Sequence, residues 1–134
     1  MSMRWRDIYA TGVDEIDEQH KELFRRVGAL LDACKKRKTF GEVEGVMKSM
    51  EEYLAGHFSY EENCMARCDY PGAEAHKKSH AEFLEDLRRL DERFKSMGPT
   101  LGFVAKVNPV VVDWLIGHVC GEDKKFASYL KSRM

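Results

Sequence analysis

Histidines and acidic residues recur in this sequence at spacings that suit metal binding. His57 and Glu61 are four residues apart, and His76 and His80 repeat that spacing further along the chain. In an α-helix, residues four apart lie about one turn apart on the same face. Each pair therefore predicts two side chains that can hold one ion from one side.

A third pair, His118 and Asp123, has a different spacing. The two residues are five positions apart, and on an ideal α-helix this spacing turns the carboxylate roughly 140° away from the imidazole. Gly121 lies between them, and we hypothesise that it permits a bulge or loosened turn that brings Asp123 back toward the ion. Regular backbone hydrogen bonds from His118 through Asp123 would contradict this hypothesis.

With His20 added, the chain offers five imidazoles and two carboxylates as metal ligands. That set is too large for one tetrahedral zinc ion and suits two ions that share bridging ligands. Mixed imidazole and carboxylate ligands favour iron, and Glu61, Asp123 and a bridging hydroxide would largely offset the charge of two iron(II) ions. An isolated H-x-x-x-H pair also fits zinc, so only the joint pattern is specific.

The ligands need helices to bring them together, and the apolar residues predict four. Apolar residues recur at helical spacing in four long segments after an irregular N-terminal arm at 1–15, and the approximate bounds of the segments are 16–36, 40–66, 72–97 and 102–131. All five histidines fall on the apolar stripes, where an unpartnered polar ring is costly. Short connections imply antiparallel neighbours. The sequence therefore predicts a single all-α domain over residues 1–134, folded as an antiparallel four-helix bundle.

Local signals mark some helix ends more clearly than others. Thr39 and Glu42 have the spacing of a capping box at the start of the second helix. The fourth helix is ambiguous, because Pro109 can be its first residue after an Asn108 cap, or can kink a helix that starts near Thr100. We favour a kinked or restarted helix.

The composition limits the classes of partner. The chain has 134 residues, with 22 Lys and Arg against 23 Asp and Glu and a formal net charge of −1. Because the chain has no long run of positively charged residues that could follow a phosphate backbone, nucleic acid is not expected as a partner. No segment approaches the roughly 20 apolar residues of a membrane span, and no apolar signal-peptide region follows Met1–Asp7. We therefore expect a cytoplasmic protein that does not bind membranes.

The four cysteines form no C-x-x-C pair, and they are Cys34, Cys64, Cys68 and Cys120. In a reducing compartment they are expected to remain thiols without a structural disulfide. Cys64 and Cys68 lie about one turn apart, and we favour inert thiols over a redox or metal role. We apply the same interpretation to Cys120, although it lies between two of the ligands.

The sequence resembles a hemerythrin of the bacterial kind, over nearly the whole chain from Trp5 to Phe126. The residues that carry the resemblance are Asp17-Glu18-Gln19-His20-Lys21, His57 with Glu61, Tyr70-Pro71 before His76 and His80, and Trp114-Leu115 before His118 and Asp123. The resemblance implies an up-down-up-down bundle that holds two iron ions per chain.

The resemblance also assigns a role to each ligand. His76, His80 and His118 would bind one iron, and His20 and His57 the other. Glu61, Asp123 and a solvent-derived oxo or hydroxo group would bridge the two ions.

Reversible oxygen binding is the function that the resemblance implies. O2 is expected to bind end-on to the two-histidine iron, with both ions Fe2+ in the deoxy form and Fe3+ in the oxy and met forms. Reversibility requires a dry apolar pocket, so that no external proton or electron reaches the oxygen. The candidates for this pocket are Leu115, Phe58, Val119 and Trp114.

Two other classes of function stay open. One is an enzyme: a di-iron oxidase or peroxidase, or a detoxifier of peroxide or nitric oxide. Since no Glu lies three residues before any histidine, the E-x-x-H pairs of ferritin-like di-iron proteins are missing, and we expect no more than weak peroxidase or oxidase side activity. The other is a redox or oxygen sensor. A signalling protein would be the partner of a sensor, whereas an oxygen-consuming enzyme would be the partner if the chain stores, transports or delivers oxygen.

Overall fold

The chain folds as four long helices that follow a short arm, as seen in a computed structural model in which residues 3–133 are described. Residues 1, 2 and 134 lie outside the described range, so the first two positions of the predicted arm do as well. The helices are α1 (Asp14–Lys35), α2 (Phe40–Arg67), α3 (Ala73–Met97) and α4 (Leu101–Ser132). No strand occurs among residues 3–133.

Each helix packs against the next one along the chain, α1 on α2, α2 on α3 and α3 on α4. The connections contain no more than five residues, which is too short to carry the chain back to the start of the preceding helix. Neighbouring helices are therefore antiparallel. The predicted all-α four-helix bundle is confirmed.

Side-chain caps define two of the helix starts. At α2, the Thr39 hydroxyl accepts a hydrogen bond from the Glu42 backbone N–H at 3.2 Å, and the Glu42 carboxylate accepts one from the Thr39 N–H at 3.3 Å. This reciprocal pair is the predicted capping box. At α4, the Thr100 hydroxyl accepts from the Phe103 N–H at 3.2 Å.

The fourth helix begins after Thr100 and continues through Pro109. The alternative in which Asn108 caps a new helix is therefore wrong. A π-helical turn, Asn108–Val112, contains the proline. Such a turn replaces the regular i→i−4 hydrogen bonds, and so accommodates a residue that has no N–H and that crowds the carbonyl four positions earlier.

The N-terminal arm is tied to the bundle by polar and aromatic contacts. Asp17, which is buried in the first turn of α1, accepts hydrogen bonds from the Thr11 N–H and hydroxyl at 2.8 and 2.7 Å. The Trp5 ring lies edge-on to Phe24 with 5.6 Å between centroids. Because α1 begins at Asp14, the arm is two residues shorter than the predicted 1–15.

The apolar core consists of two clusters with a polar layer between them. On α1, Ile16 of the smaller cluster precedes His20 and Leu23 of the larger cluster follows it. On α4 the order is reversed, with Leu115 of the larger cluster before the ligand positions and Phe126 of the smaller one after them. The antiparallel helices thus place their polar positions at one level of the bundle.

One helix, Leu101–Ser132, is long and apolar enough to cross a membrane by length and composition alone. This differs from the expectation that no segment approaches a membrane span. Its apolar residues include Phe103, Val107, Val111 and Val112, which are buried in the larger cluster. A core helix of a bundle has the same length and apolar content.

Candidate metal centre

Seven polar side chains from all four helices converge in the layer between the clusters. α1 contributes His20, α2 His57 and Glu61, α3 His76 and His80, and α4 His118 and Asp123. Each is at most 4% exposed. These are the seven ligand candidates of the sequence pattern, and the fold brings all of them together.

The carboxylate of Glu61 divides its oxygens between two groups of histidines. Oε1 lies 3.4 Å from Nε2 of His76 and 3.2 Å from Nε2 of His80. Oε2 lies 3.3 Å from Nε2 of His57 and 3.6 Å from Nε2 of His20. One side chain therefore faces two sets of imidazoles at once.

Asp123 divides its oxygens in the same way. Oδ1 lies 3.1 Å from Nε2 of His76 and 3.2 Å from Nε2 of His118, whereas Oδ2 lies 3.0 Å from Nε2 of His20. The seven residues thus form a three-histidine group (His76, His80, His118) and a two-histidine group (His20, His57), which share both carboxylates. Within each group, carboxylates included, the ligand atoms lie within 4.8 Å of one another.

A second π-helical turn, Val119–Asp123, brings the last two ligands together. His118 directly precedes it, and because a π turn takes more than four residues, Asp123 returns to the face of His118 despite the five-residue spacing. The hypothesis of a loosened turn is therefore confirmed. The special role given to Gly121 is not supported: a Cβ at this exposed position would meet no atom within 4 Å, and its φ is not positive.

Several of the buried ligand atoms lack a hydrogen-bond partner within the protein, although oppositely charged groups lie close to them. Among the described residues, six inward-facing atoms have no contact with hydrogen-bond geometry: Nε2 of His20, His57 and His76, both oxygens of Glu61, and Oδ1 of Asp123. Leaving so many buried polar atoms unsatisfied is costly. Metal ions placed between the imidazoles and carboxylates would satisfy them, so the residues present fit the implied metal centre.

Charges in the metal-free protein hold this layer together. Burial by itself disfavours the imidazolium of His20, yet the adjoining carboxylates of Asp123 and Glu61 raise its pKa to about 9. His76 has the same surroundings, and its pKa is also raised to about 9. Burial opposes the ionisation of Glu61 and Asp123, but the imidazoles around them hold the pKa of each carboxyl below its usual range. Protons thus supply part of the positive charge that metal ions would bring.

The outward Nδ1 atoms of three imidazoles also have partners. Nδ1 of His57 lies 2.6 Å from the amide oxygen of Gln19. Nδ1 of His80 lies 2.9 Å from Oε2 of Glu62, and Nδ1 of His118 lies 3.1 Å from Oε1 of Glu122. Because amide and carboxylate oxygens only accept, each Nδ1 is the donor, which leaves Nε2 free to face the centre.

The sequence pattern gave no role to Glu62 or Glu122, nor to Ser79, whose hydroxyl donates a hydrogen bond to Oε1 of Glu122. A weak signal existed for Glu122, which lies four residues after His118 on the same helix. None existed for Glu62, because its imidazole partner belongs to another helix.

The four pocket candidates occupy different surroundings. Phe58 stacks on His80 with 3.9 Å between centroids, and Trp114 stacks on His118 at 4.4 Å. The Phe58 ring also lies 6.1 Å from the ring of His57, so Phe58 borders both groups. The stacking contact of Trp114 lies on the three-histidine side, whereas the prediction placed this ring beside the two-histidine iron. Leu115 and Val119 are buried in the larger apolar cluster.

The four cysteines are all free thiols, and Cys120 is exposed. The prediction of no structural disulfide therefore agrees with the described residues.

Comparison with known proteins agrees with this geometry. The family model described as "Hemerythrin HHE cation binding domain" matches residues 11–130. Bacteriohemerythrin of Stenotrophomonas maltophilia is 27% identical, over 97% of this chain and 82% of the relative. Myohemerythrin of Sipunculus nudus is 30% identical, over 94% of this chain and 92% of the relative. The hemerythrin-like protein of Naegleria gruberi is 28% identical over the same shares of both chains.

Proposed function

Because the chain belongs to the hemerythrin family, we propose that it binds oxygen reversibly at a di-iron centre formed by the seven converging side chains. The observation that carries the proposal is that the two oxygens of Glu61, and likewise those of Asp123, face different groups of histidines. Two carboxylates whose oxygens face different ligand groups suit a pair of ions better than a single ion.

In this proposal, His76, His80 and His118 hold one ion, and His20 and His57 hold the other. Glu61 and Asp123, which face both groups, would contribute ligand atoms to both ions, and their negative charges would reduce the net charge of the buried cluster. When bound, the two irons supply the electrons for reversible oxygen binding. The two-histidine group offers one imidazole fewer, so we assign the approach of an external ligand to that side.

The residues around the layer keep water and protons away from the ligand. Apolar clusters lie on both sides of the polar layer, and Leu115 and Val119 are at most 2% exposed. We retain both as pocket residues in the proposal. A dry surrounding favours binding over oxidation, because external protons and electrons are excluded.

The decisive experiment follows the visible spectrum of the iron-loaded protein through an oxygen cycle. The reduced protein, prepared without air, should develop an absorption band when oxygen is added and should lose it when oxygen is removed. Direct and irreversible conversion to a stable diferric form would contradict oxygen binding, and would favour an oxidase or a redox sensor.

Metal stoichiometry tests the centre separately from oxygen. Elemental analysis should find two irons per chain in the wild type, and one in a His57→Ala variant that keeps the three-histidine group intact. A wild-type chain that holds a single ion under iron excess would contradict the di-iron assignment.

A further inference from the structure

The outward nitrogens of the five imidazoles do not have equivalent surroundings. On the three-histidine side, the partners of His80 and His118 are the carboxylates of Glu62 and Glu122, at 2.9 and 3.1 Å. On the two-histidine side, the partner of His57 is the neutral amide of Gln19. Nδ1 of His20 and Nδ1 of His76 have no hydrogen-bond partner among residues 3–133. Within this range, the anionic acceptors therefore all belong to the three-histidine group.

A carboxylate that accepts the Nδ1 proton does two things to an imidazole ligand. It fixes the tautomer and the ring orientation, so that Nε2 is free and faces the metal. It also increases the electron density on the ring, because a hydrogen bond to an anionic acceptor is stronger than one to a neutral amide. Imidazoles held in this way bind a cation more tightly.

Further contacts hold one acceptor, Glu122, and one imidazole, His80, in place. The Ser79 hydroxyl donates a hydrogen bond to Oε1 of Glu122 at 2.7 Å, the same oxygen that faces His118. The ring of His80, between Glu62 and the centre, is held by stacking on Phe58. The side chains of Glu62 and Glu122 remain 32% and 42% exposed, so replacing either one should leave the buried core unchanged.

We propose that Glu62 and Glu122 are positioning residues that give the three-histidine group the tighter hold on its metal ion, so that the two halves of the centre differ in affinity. The proposal rests on the proposed function only in requiring two metal ions. It adds that these ions are lost in a fixed order, the ion of the two-histidine group first.

The test uses Co2+, which reports on the ligands without oxygen chemistry. Protein loaded with two Co2+ ions is mixed with excess chelator, and the loss of its visible absorption is followed. We expect a fast phase and a slow phase, and only the slow phase in His57→Ala. Glu62→Gln and Glu122→Gln should each accelerate the slow phase about tenfold or more, the usual cost of losing an outer partner of a histidine ligand.

Glu82→Gln is the matched control, because Glu82 is an exposed residue two positions from His80 and the change removes the same charge. It should leave both phases unchanged. Ser79→Ala, which only releases Glu122 from one contact, should accelerate the slow phase by less than Glu122→Gln.

A spectroscopic measurement separates positioning from a general loss of stability. In the Co2+ protein, the Nδ1 protons of ligated imidazoles give strongly shifted NMR signals that exchange with solvent. Glu122→Gln should move one of these signals and speed its exchange, and Glu62→Gln should move a different one. Neither signal should move in Glu82→Gln.

Equal acceleration of both phases, or no acceleration in either variant, would overturn the proposal while the di-iron centre stands. A wild-type protein that takes up fewer than two Co2+ ions would contradict the proposed function instead. The two failures are therefore distinguishable.

Discussion

At the scale of the residue, buried carboxyl groups in this protein differ in their charge state because their neighbours differ. Glu61 and Asp123 are buried among imidazoles, which keep them ionised. Glu51 lines a surface groove with Asp91 and Lys95, and its Oε1 is buried without a hydrogen-bond partner among the described residues. Burial, with the negative charge of Asp91 added, raises the pKa of Glu51 to about 7. Neighbours, and not burial alone, decide the charge state.

We predict that Glu51→Gln stabilises the protein at pH 8. The folded-state pKa of Glu51 lies above its usual value of 4.5, so its contribution to stability is fully present below about pH 4.5 and is lost as the pH rises through 7. Glutamine cannot ionise, and should raise the free energy of unfolding at pH 8 by about 1 kcal/mol, a figure reduced for partial exposure. Denaturant unfolding at pH 5 and pH 8 measures the effect.

Glu52→Gln provides the control, since the neighbouring side chain is exposed and should change stability little at either pH. Equal stabilisation by both variants would mean that general charge reduction, and not the burial of Glu51, is responsible.

At the scale of the element, the fourth helix determines whether the centre is complete. Its two π-helical turns have different origins. The first turn contains Pro109, and the proline explains it. The second turn brings His118 and Asp123 onto one face, and the glycine inside it, Gly121, has no positive φ. The contacts of Asp123 with three imidazoles are therefore a better explanation of the second turn than Gly121 is.

We predict that Gly121→Ala raises the free energy of unfolding by about 0.5–1 kcal/mol, the usual gain for alanine over glycine inside a helix. A Cβ at this position meets no atom within 4 Å, and two metal ions should still bind. Thermal unfolding and elemental analysis of the variant check both parts.

Gly117→Ala is the natural comparison, because Gly117 is also exposed, lies one turn earlier in a regular stretch of the same helix, and has equally open space around its Cα. Stabilisation by Gly117→Ala together with destabilisation or metal loss in Gly121→Ala would show that the glycine itself is required for the π turn.

At the scale of the whole molecule, the bundle is built around a polar layer that separates two apolar clusters. Without metal, protonated imidazoles and ionised carboxylates neutralise one another in this layer. With metal, the imidazoles must lose their protons. The stability of the metal-free protein and the stability gained from metal binding should therefore depend on pH in opposite ways.

We predict that the metal-free protein is most stable at about pH 5–6. The raised pKa values of His20 and His76 give stability that is present below about pH 6.5 and is lost as the pH rises through 9. The lowered pKa values of Glu61 and Asp123 give stability that is present above their usual values of 4.5 and 3.8, and is lost as the pH falls. Between pH 6 and pH 9 we expect a loss of about 2 kcal/mol or more.

Thermal unfolding with a chelator across this pH range measures the trend. The same series with excess Zn2+ should show an increasing gain in stability from pH 6 to pH 8, because fewer protons compete for the imidazoles. A metal-free stability that keeps rising through pH 9 would contradict the charge pattern described for the layer.

Local patterns let the sequence by itself determine the helical class, the capping box at Thr39 and the seven candidate ligands. Helical periodicity and the four-residue spacing of His57 with Glu61 act within one helix, so they can be recognised without the fold. The five-residue spacing of His118 and Asp123 even indicated an irregular turn, although its attribution to Gly121 is not supported by the open space and ordinary φ at this position.

Only the tertiary structure decided which oxygen of Glu61 faces which histidine, that Glu62 on α2 contacts His80 on α3, and that Trp114 stacks on His118. Each of these depends on the rotation and relative height of two different helices. Spacing along one helix contains no information about either quantity, because side-chain packing between helices determines both.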